Sequence, residues 1–415
     1  MSTLAARVAA SAKQSLDDLA VFGGSPLFDR PRPVGQLYAP PVERYLELLR
    51  ESFAVRHLTN DGPLVLRLEQ RLAERHQVRH CISLANAALG LTMLMQLFAQ
   101  GRRGRVAMPA FSYRGLPHFA RWSGQTPLFC DVDPVTHTLD PADVDARIDD
   151  ETHSILAVCN YNSPGDLEGL AEVAARHHVP LFLDSVYGLE STYRGRALGP
   201  FGRAEVFSTH ATKLLNGFEG GYVTTDDDQL AALLRWQRNF ALPGWRPEAA
   251  DDWGPVLGVN AKMTELHAAM ALASLDGLAD VVERNRARDE AYRREIAPVA
   301  GLSIAPSGDP VERRNFQLVA LEVGPPWPLS VQQTQKVLRA EGAAATIYYS
   351  PPLHLTDPVS PLPPGSLPVA EALADRFIQL PVGEHTTLED IGRLGDLFRF
   401  LARHGEAVVG RLGAA

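Results

Sequence analysis

The stretch Val206-Phe-Ser-Thr-His-Ala-Thr-Lys-Leu-Leu-Asn-Gly-Phe-Glu-Gly-Gly-Tyr222 decides how the rest of the chain is read. It follows from a short apolar strand, Glu205 to Ser208, and breaks into small and hydroxylated residues. It then presents one lysine, Lys213, and closes on Glu219-Gly220-Gly221 before a second strand, Tyr222 to Thr225. An ammonium is costly to bury unless paired, and burial moves an amine toward the free base that attacks carbonyls. A lysine between two buried strands is thus a candidate Schiff-base former, with pyridoxal 5'-phosphate (PLP) the usual carbonyl partner. A lysine on a surface loop is the other reading of this stretch alone.

A second stretch bears on that choice. Val179-Pro-Leu-Phe-Leu-Asp184 is an apolar run bounded by turn residues, which predicts a buried parallel strand. It ends in a carboxylate, and open α/β sheets place ligands at strand C-termini. PLP chemistry needs an acid there to keep the pyridine nitrogen protonated, so that the ring can take up electrons from the substrate. Asp184 precedes Lys213 by 29 residues, each after an apolar strand, which is the expected order. A helix-capping aspartate is the plainer alternative.

Outward from these two sites, strands alternate with helices from about residue 80 to 230, which argues for a mostly parallel sheet covered on both faces. Seven strands are predicted: His80–Ser83, Arg105–Pro109, Pro127–Val132, Ile155–Tyr161, Leu181–Ser185, Glu205–Ser208 and Tyr222–Thr225. Helices are predicted over Tyr45–Ala54, Pro63–Arg75, Leu170–His177 and Asp228–Arg238, and one long helix over Met263–Arg288. Beyond Pro298, strand Phe316–Val323, helix Ser330–Glu341, strand Ala345–Tyr349 and helix Asp390–Arg403 predict a smaller α+β domain. The domain expectation is residues 1–40 as an arm and crossing segment, 41–285 as a large α/β domain and 286–415 as the small domain. The first 20 or so residues, Ala- and Ser-rich, read as a loose arm.

Composition narrows the class. With 415 residues, 45% of them hydrophobic, the chain can bury a large core. The formal charge is −9 and no basic run is long enough to grip nucleic acid. The odd set of Cys81, Cys130 and Cys159 lies in or beside apolar runs, so reduced core thiols are expected and no metal site or disulfide frame. No apolar run reaches membrane-spanning length, and Met1 to Leu19 lacks a signal-peptide core, so a cytoplasmic protein is expected.

Two more stretches fit a phosphorylated pyridine. Ser83-Leu-Ala-Asn-Ala-Ala-Leu89 passes from strand to helix through small residues, and backbone N–H groups at a helix start bind phosphate without a cationic side chain. Pro109-Ala-Phe-Ser-Tyr113 follows the next strand with two aromatics, one of which could stack on a ring. An ordinary strand–helix turn and core packing are the alternatives.

Taken together these residues resemble the DegT/StrS-type sugar aminotransferases, which are fold-type I PLP enzymes, over about Leu19 to Arg403. The most specific parts are Phe207-Ser-Thr-His-Ala-Thr-Lys213 with Glu219-Gly-Gly221, and Gly258-Val-Asn-Ala-Lys-Met-Thr-Glu265. Thr59-Asn-Asp-Gly-Pro63 and Arg194-Gly-Arg-Ala-Leu-Gly-Pro-Phe-Gly202 add to them. The resemblance implies Lys213 as the cofactor's covalent anchor and Asp184 as the pyridinium partner. It implies Ala85, Asn86 and Ser208 at phosphate-binding positions, Tyr113 at the ring-stacking position, and Tyr187 beside the phenolic oxygen. Asn260 takes a position that reaches the neighbouring subunit's cofactor phosphate, which implies a homodimer with shared sites. Phe22-Gly-Gly24, Ala211-Thr-Lys213 to Phe218-Glu219 and Asn260-Ala-Lys-Met263 are most like the enzymes that aminate C4 of a dTDP-4-keto-6-deoxyhexose in antibiotic pathways, with L-glutamate as donor.

Three stretches depart from the family's usual residues: Leu84-Ala85-Asn86, Ser185-Val186-Tyr187 and Asn160-Tyr-Asn-Ser163. All surround the face that a substrate must approach. An aminotransferase, lyase or decarboxylase of the same fold acting on a non-sugar ketone or an amino acid is therefore the alternative function. His210 is a second candidate base, and Tyr348 and His354, with neighbouring Tyr349, are candidates to line the substrate cleft. For each of them the alternative is packing.

Overall fold

A computed structural model describes residues 13–161, 163–305, 312–359 and 361–413. The arm before Lys13, and Asn162 of the third departing stretch, lie outside them. All seven predicted strands form one sheet, in the order His80–Leu84, Gly221–Thr225, Glu205–Ser208, Leu181–Asp184, Thr152–Val158, Arg105–Pro109 and Thr126–Cys130. Six run in one direction; Gly221–Thr225 is antiparallel to both its neighbours. The fold is α/β with a mostly parallel seven-stranded sheet, as the resemblance to fold-type I PLP enzymes implies. Alternate residues of each strand enter two separate cores. Ile82, Val106, Leu156 and Phe182 face one layer of helices, while Cys81, Ala107, Ile155 and Leu181 face the other. Burial on both faces is why these strands read as continuous apolar runs. The three cysteines are free and buried, as their apolar settings predict. Among the described residues no helix is long and apolar enough to cross a membrane.

The common strand direction gathers the chemistry. Asp184 and Ser208 end adjacent parallel strands, and Leu84 and Ser208 both pair with Gly221, where the antiparallel strand starts back from the same edge.

The smaller body is a four-stranded antiparallel sheet ordered Leu302–Ile304, Val319–Val323, Phe377–Leu380 and Thr346–Ile347, backed by helices Val331–Ala340 and Leu388–Gly413. Two expectations need correction. The predicted helix from Met263 is two helices, Glu265–Asp276 and Leu278–Ile296, broken at Gly277. A Cβ at Gly277 would lie 2.3 Å from the Tyr38 hydroxyl, so glycine at the break lets the crossing segment pack close. The expected boundary at residue 285 thus falls inside the second helix. Nor is the arm loose from Lys13 onward: Leu19 is fully buried with the small sheet's core. There the buried Glu341 carboxylate accepts the N–H groups of Ala20 and Leu27, each at 2.8 Å, and pairs with Lys13 at 2.8 Å.

Candidate active site

At that strand edge lies a cavity of about 430 Å³. Asn86, Tyr113, Asp184, Tyr187, Ser208, His210, Lys213 and Tyr348, eight of the residues singled out from sequence, line it. Asp184 forms its floor at 3% exposure. Burial pushes its carboxyl up to about 6 from the ordinary 3.8, against the pull of the Val186 N–H and the Lys213 ammonium. A buried acid in that state favours a cationic partner, since opposite charge restores the carboxylate. Behind it, Glu205 is also fully buried and pushed up to about 7 by burial. Glu205 accepts the Ser185 hydroxyl at 2.6 Å and the Gly199 and Phe201 N–H groups at 2.6 and 2.8 Å, which fixes the turn after Asp184.

Lys213 sits on a loop closed by its own backbone: Thr209 N–H to Gly220 carbonyl at 3.0 Å, Gly217 N–H to Thr209 carbonyl at 2.7 Å, and Lys213 N–H to His210 carbonyl at 2.8 Å. Leu214 and Leu215 are buried beneath it, leaving the half-buried lysine side chain in the cavity with Nζ 3.7 Å from the Tyr187 ring centroid. Gly220, at φ +153°, is needed there, because a Cβ would lie 2.3 Å from Thr209 Oγ1.

The start of helix Ala87–Ala99 opens on the cavity. Asn86 caps it, its Oδ1 accepting the Leu89 N–H at 2.9 Å, and Ala87 and Ala88 of the first turn line the cavity. Gly221 lets that turn approach the sheet: a Cβ there would meet the Ala87 nitrogen at 2.5 Å. Ala85 is placed otherwise than expected. Its N–H donates to the Ala261 carbonyl at 2.7 Å and it does not line the cavity; Ala87 and Ala88, two and three residues later, do. A buried acid, an amine, a side-chain hydroxyl and a small-residue helix start around one cavity fit the ring, aldehyde and phosphate of PLP.

Two other expected residues stand apart. His354 is fully buried with Nε2 3.1 Å from Glu371 Oε1 and does not line the cavity; it packs the small body, which corrects its reading as a substrate residue. Asn260 is exposed, outside its own chain's cavity, and accepts Lys262 Nζ–H at 2.7 Å. His210 stands at the mouth, Nδ1 2.7 Å from Thr212 Oγ1 and Nε2 3.6 Å from Glu219. Sequence reading missed Gln317, which takes the Leu214 N–H at 3.1 Å; no motif marks it.

Fold and donor set define a PLP-dependent aminotransferase. The chain belongs to the DegT/DnrJ/EryC1/StrS aminotransferase family, whose pattern matches residues 42–399. It resembles the crystal structure of DesI solved in the presence of its TDP-sugar product, at 37% identity and a TM-score of 0.89, with 96% of this chain and 99% of that one covered. It is 29% identical to the GDP-perosamine synthase of Caulobacter vibrioides over 81% of this chain and 90% of that protein. To the L-glutamine:2-deoxy-scyllo-inosose aminotransferase of Micromonospora echinospora it is 27% identical, over 94% and 99%.

Proposed function

We propose that this chain transfers an amino group from L-glutamate to the C4 carbonyl of a dTDP-4-keto-6-deoxyhexose in natural-product biosynthesis. The observation that carries this reading is the 37% identity, along 96% of the chain, to a structure solved in the presence of its TDP-sugar product. PLP supplies an aldehyde that takes up the amino group and a ring that accepts the electron pair of the broken C–H bond. In this reading Lys213 is the covalent anchor. Once displaced, its Nζ takes the proton from the donor Cα and, in the second half, returns one to the former carbonyl carbon of the acceptor. Asp184 holds positive charge at the ring nitrogen, Asn86 orients the helix start that with Ser208 seats the phosphate, and Tyr113 covers the ring. Burial raises the Tyr348 phenol well above its ordinary range, so it serves as a neutral hydrogen-bonding group at the substrate side. The cyclitol-acting relative favours a second reading, a non-nucleotide cyclic ketone as acceptor.

Single half-reactions followed by absorbance test both readings. L-glutamate alone should convert the yellow bound cofactor to its amine form, and the keto nucleotide should restore the colour. Restoration by an inosose and not by any keto nucleotide would transfer the proposal to the cyclitol class. A colour change unaccompanied by stoichiometric 2-oxoglutarate would favour a lyase or decarboxylase.

The same reading makes the enzyme a homodimer with Asn260 reaching the partner's phosphate. In support, helix Val42–Val55 buries Leu48 and Ser52 yet leaves Val42, Leu46, Phe53 and Val55 exposed. Co-expressing Lys213→Ala with an inactive Asn260→Ala chain should give heterodimers with up to about half the wild-type activity, because one of two symmetric sites receives both intact halves. Tagged heterodimers no more active than either parent would place both residues in the site of one chain.

A further inference from the structure

Tyr187 is held from several directions by the small body. Its carbonyl accepts Asn315 Nδ2–H at 2.7 Å and Gln317 Nε2–H at 3.0 Å, and its hydroxyl is bonded to the Tyr348 hydroxyl. Tyr348 is itself fixed. The Tyr161 hydroxyl donates to its carbonyl at 2.7 Å, and its ring stacks on Tyr349 with centroids 3.9 Å apart. The Tyr187 hydroxyl is thereby engaged with a neighbour, and what the residue turns to the cavity is its ring face, with Lys213 Nζ 3.7 Å from the centroid. Gln317, 3% exposed, grips both partners, since its Oε1 accepts the N–H of Leu214, next to the lysine. Its own carbonyl is held by Gln36 Nε2–H at 2.7 Å, and Gln36 Oε1 by Asn285 Nδ2–H at 2.7 Å, a buried chain of amides running back to helix Leu278–Ile296. Such a network over-determines the spacing between ring and lysine.

We propose that Tyr187 is a positioning residue for Lys213: its ring face is the seat of the amine's protonated form while it is not bonded to the cofactor, and Gln317 and Tyr348 keep seat and lysine in register. The proposal rests on Lys213 as anchor and base. A cation is attracted to the face of an aromatic ring, so the seat holds the ammonium that forms once the displaced amine has taken its proton, within reach of the carbon to which a proton must next be given. The aromatic face does this work; the hydroxyl serves the clamp.

The test uses the full-length cofactor-free protein and acetyl N-hydroxysuccinimide, which acylates free amines. Peptide mass spectrometry follows Lys213, with Lys262 and Lys336 as internal references. Tyr187→Leu and Tyr187→Gln remove the ring, while Tyr187→Phe keeps it. Acylation of Lys213 should rise roughly three- to thirtyfold in the ring-less variants, the range that a cation–ring contact implies. It should stay within about twofold in Tyr187→Phe, with both reference lysines unchanged. In the loaded enzyme the ring-less variants should lose kcat while KM for the donor holds. Equal Lys213 acylation in wild type and in whichever ring-less variant folds would overturn the seat. So would an equal rise in Tyr187→Phe. Borohydride reduction of the loaded wild type is read separately: cofactor found on a lysine other than Lys213 would refute the anchor, whatever the acylation rates show.

Discussion

The Lys213→Ala variant should fold, should still take up PLP, and should be inactive. The loop around position 213 is set by backbone bonds among Thr209, His210, Gly217 and Gly220 and by the buried Leu214 and Leu215, none of which needs the lysine side chain. That side chain is half-buried, touches the Tyr187 ring and draws on the buried Asp184 carboxyl, so its removal should change stability by about 1–2 kcal/mol. Activity is another matter, because one amine is proposed as covalent anchor, leaving group and proton carrier. Losing the group on which a catalytic unit turns costs on the order of 10⁵-fold or more in turnover. The check is twofold: thermal unfolding beside wild type, and mass spectrometry after borohydride reduction of the loaded protein. Cofactor trapped on the variant chain, or turnover within a hundredfold of wild type, would show that another residue does this work.

Most of the large sheet was legible because burial on both faces turns each strand into an apolar run that composition exposes. Thr152–Val158 shows the limit of that signal: all seven residues are buried, but Thr152, His153 and Ser154 are polar, so the apolar run placed the strand at Ile155–Tyr161. The strand Phe377–Leu380 escaped, though it is fully buried, because four residues carry too short a period to separate from a helix turn. The break at Gly277 was illegible for a different reason: the residue packed against that glycine is Tyr38, far earlier in the chain. The arm is similar, since only the placement of Glu341 reveals that its N–H groups have a buried acceptor.

Within the site, residues at strand ends were legible and their partners were not. Lys213 and Asp184 follow apolar runs that fix where the chain emerges, and a common strand direction brings them to one cavity. Ala85 stands away from the cavity because its N–H is taken by the Ala261 carbonyl, a contact that the Gly258 to Glu265 motif does not reveal. Glu265 of that stretch is likewise structural: its carboxylate accepts the Leu64 and Val65 N–H groups at 3.0 and 2.8 Å and the Ser52 hydroxyl at 2.6 Å, capping helix Pro63–His76. Tyr187 was legible as a departure at the position beside the phenolic oxygen, but its hold on Tyr348, Asn315 and Gln317 was not, since sequence distance hides those partners.

Asp184→Asn should separate catalysis from stability, with opposite signs. In the cofactor-free protein the Asp184 carboxyl titrates at about 6, raised from 3.8 by burial. Between those two values the native state holds more protons than the unfolded one, so stability falls as pH rises from about 4 to about 6 and then levels off. The loss is on the order of 3 kcal/mol. Asparagine carries no charge to bury and still offers an oxygen to the Val186 N–H, which Asp184 Oδ1 accepts at 3.2 Å. Cofactor-free Asp184→Asn should therefore exceed wild type by up to about 3 kcal/mol at pH 7.5, with most of that advantage gone at pH 4.5. PLP should reverse the order, because a cationic ring nitrogen gives the buried carboxylate the partner it lacks, and binding to the native state adds to stability. Turnover should fall in parallel by about 10²- to 10³-fold, the scale of losing one preorganised electrostatic contact. Denaturant unfolding at the two pH values, with and without PLP, reads the first effect, and single-turnover rates read the second. A stability difference that ignores pH would mean that Asp184 is not the titrating group, and near-normal turnover would place the pyridinium partner elsewhere.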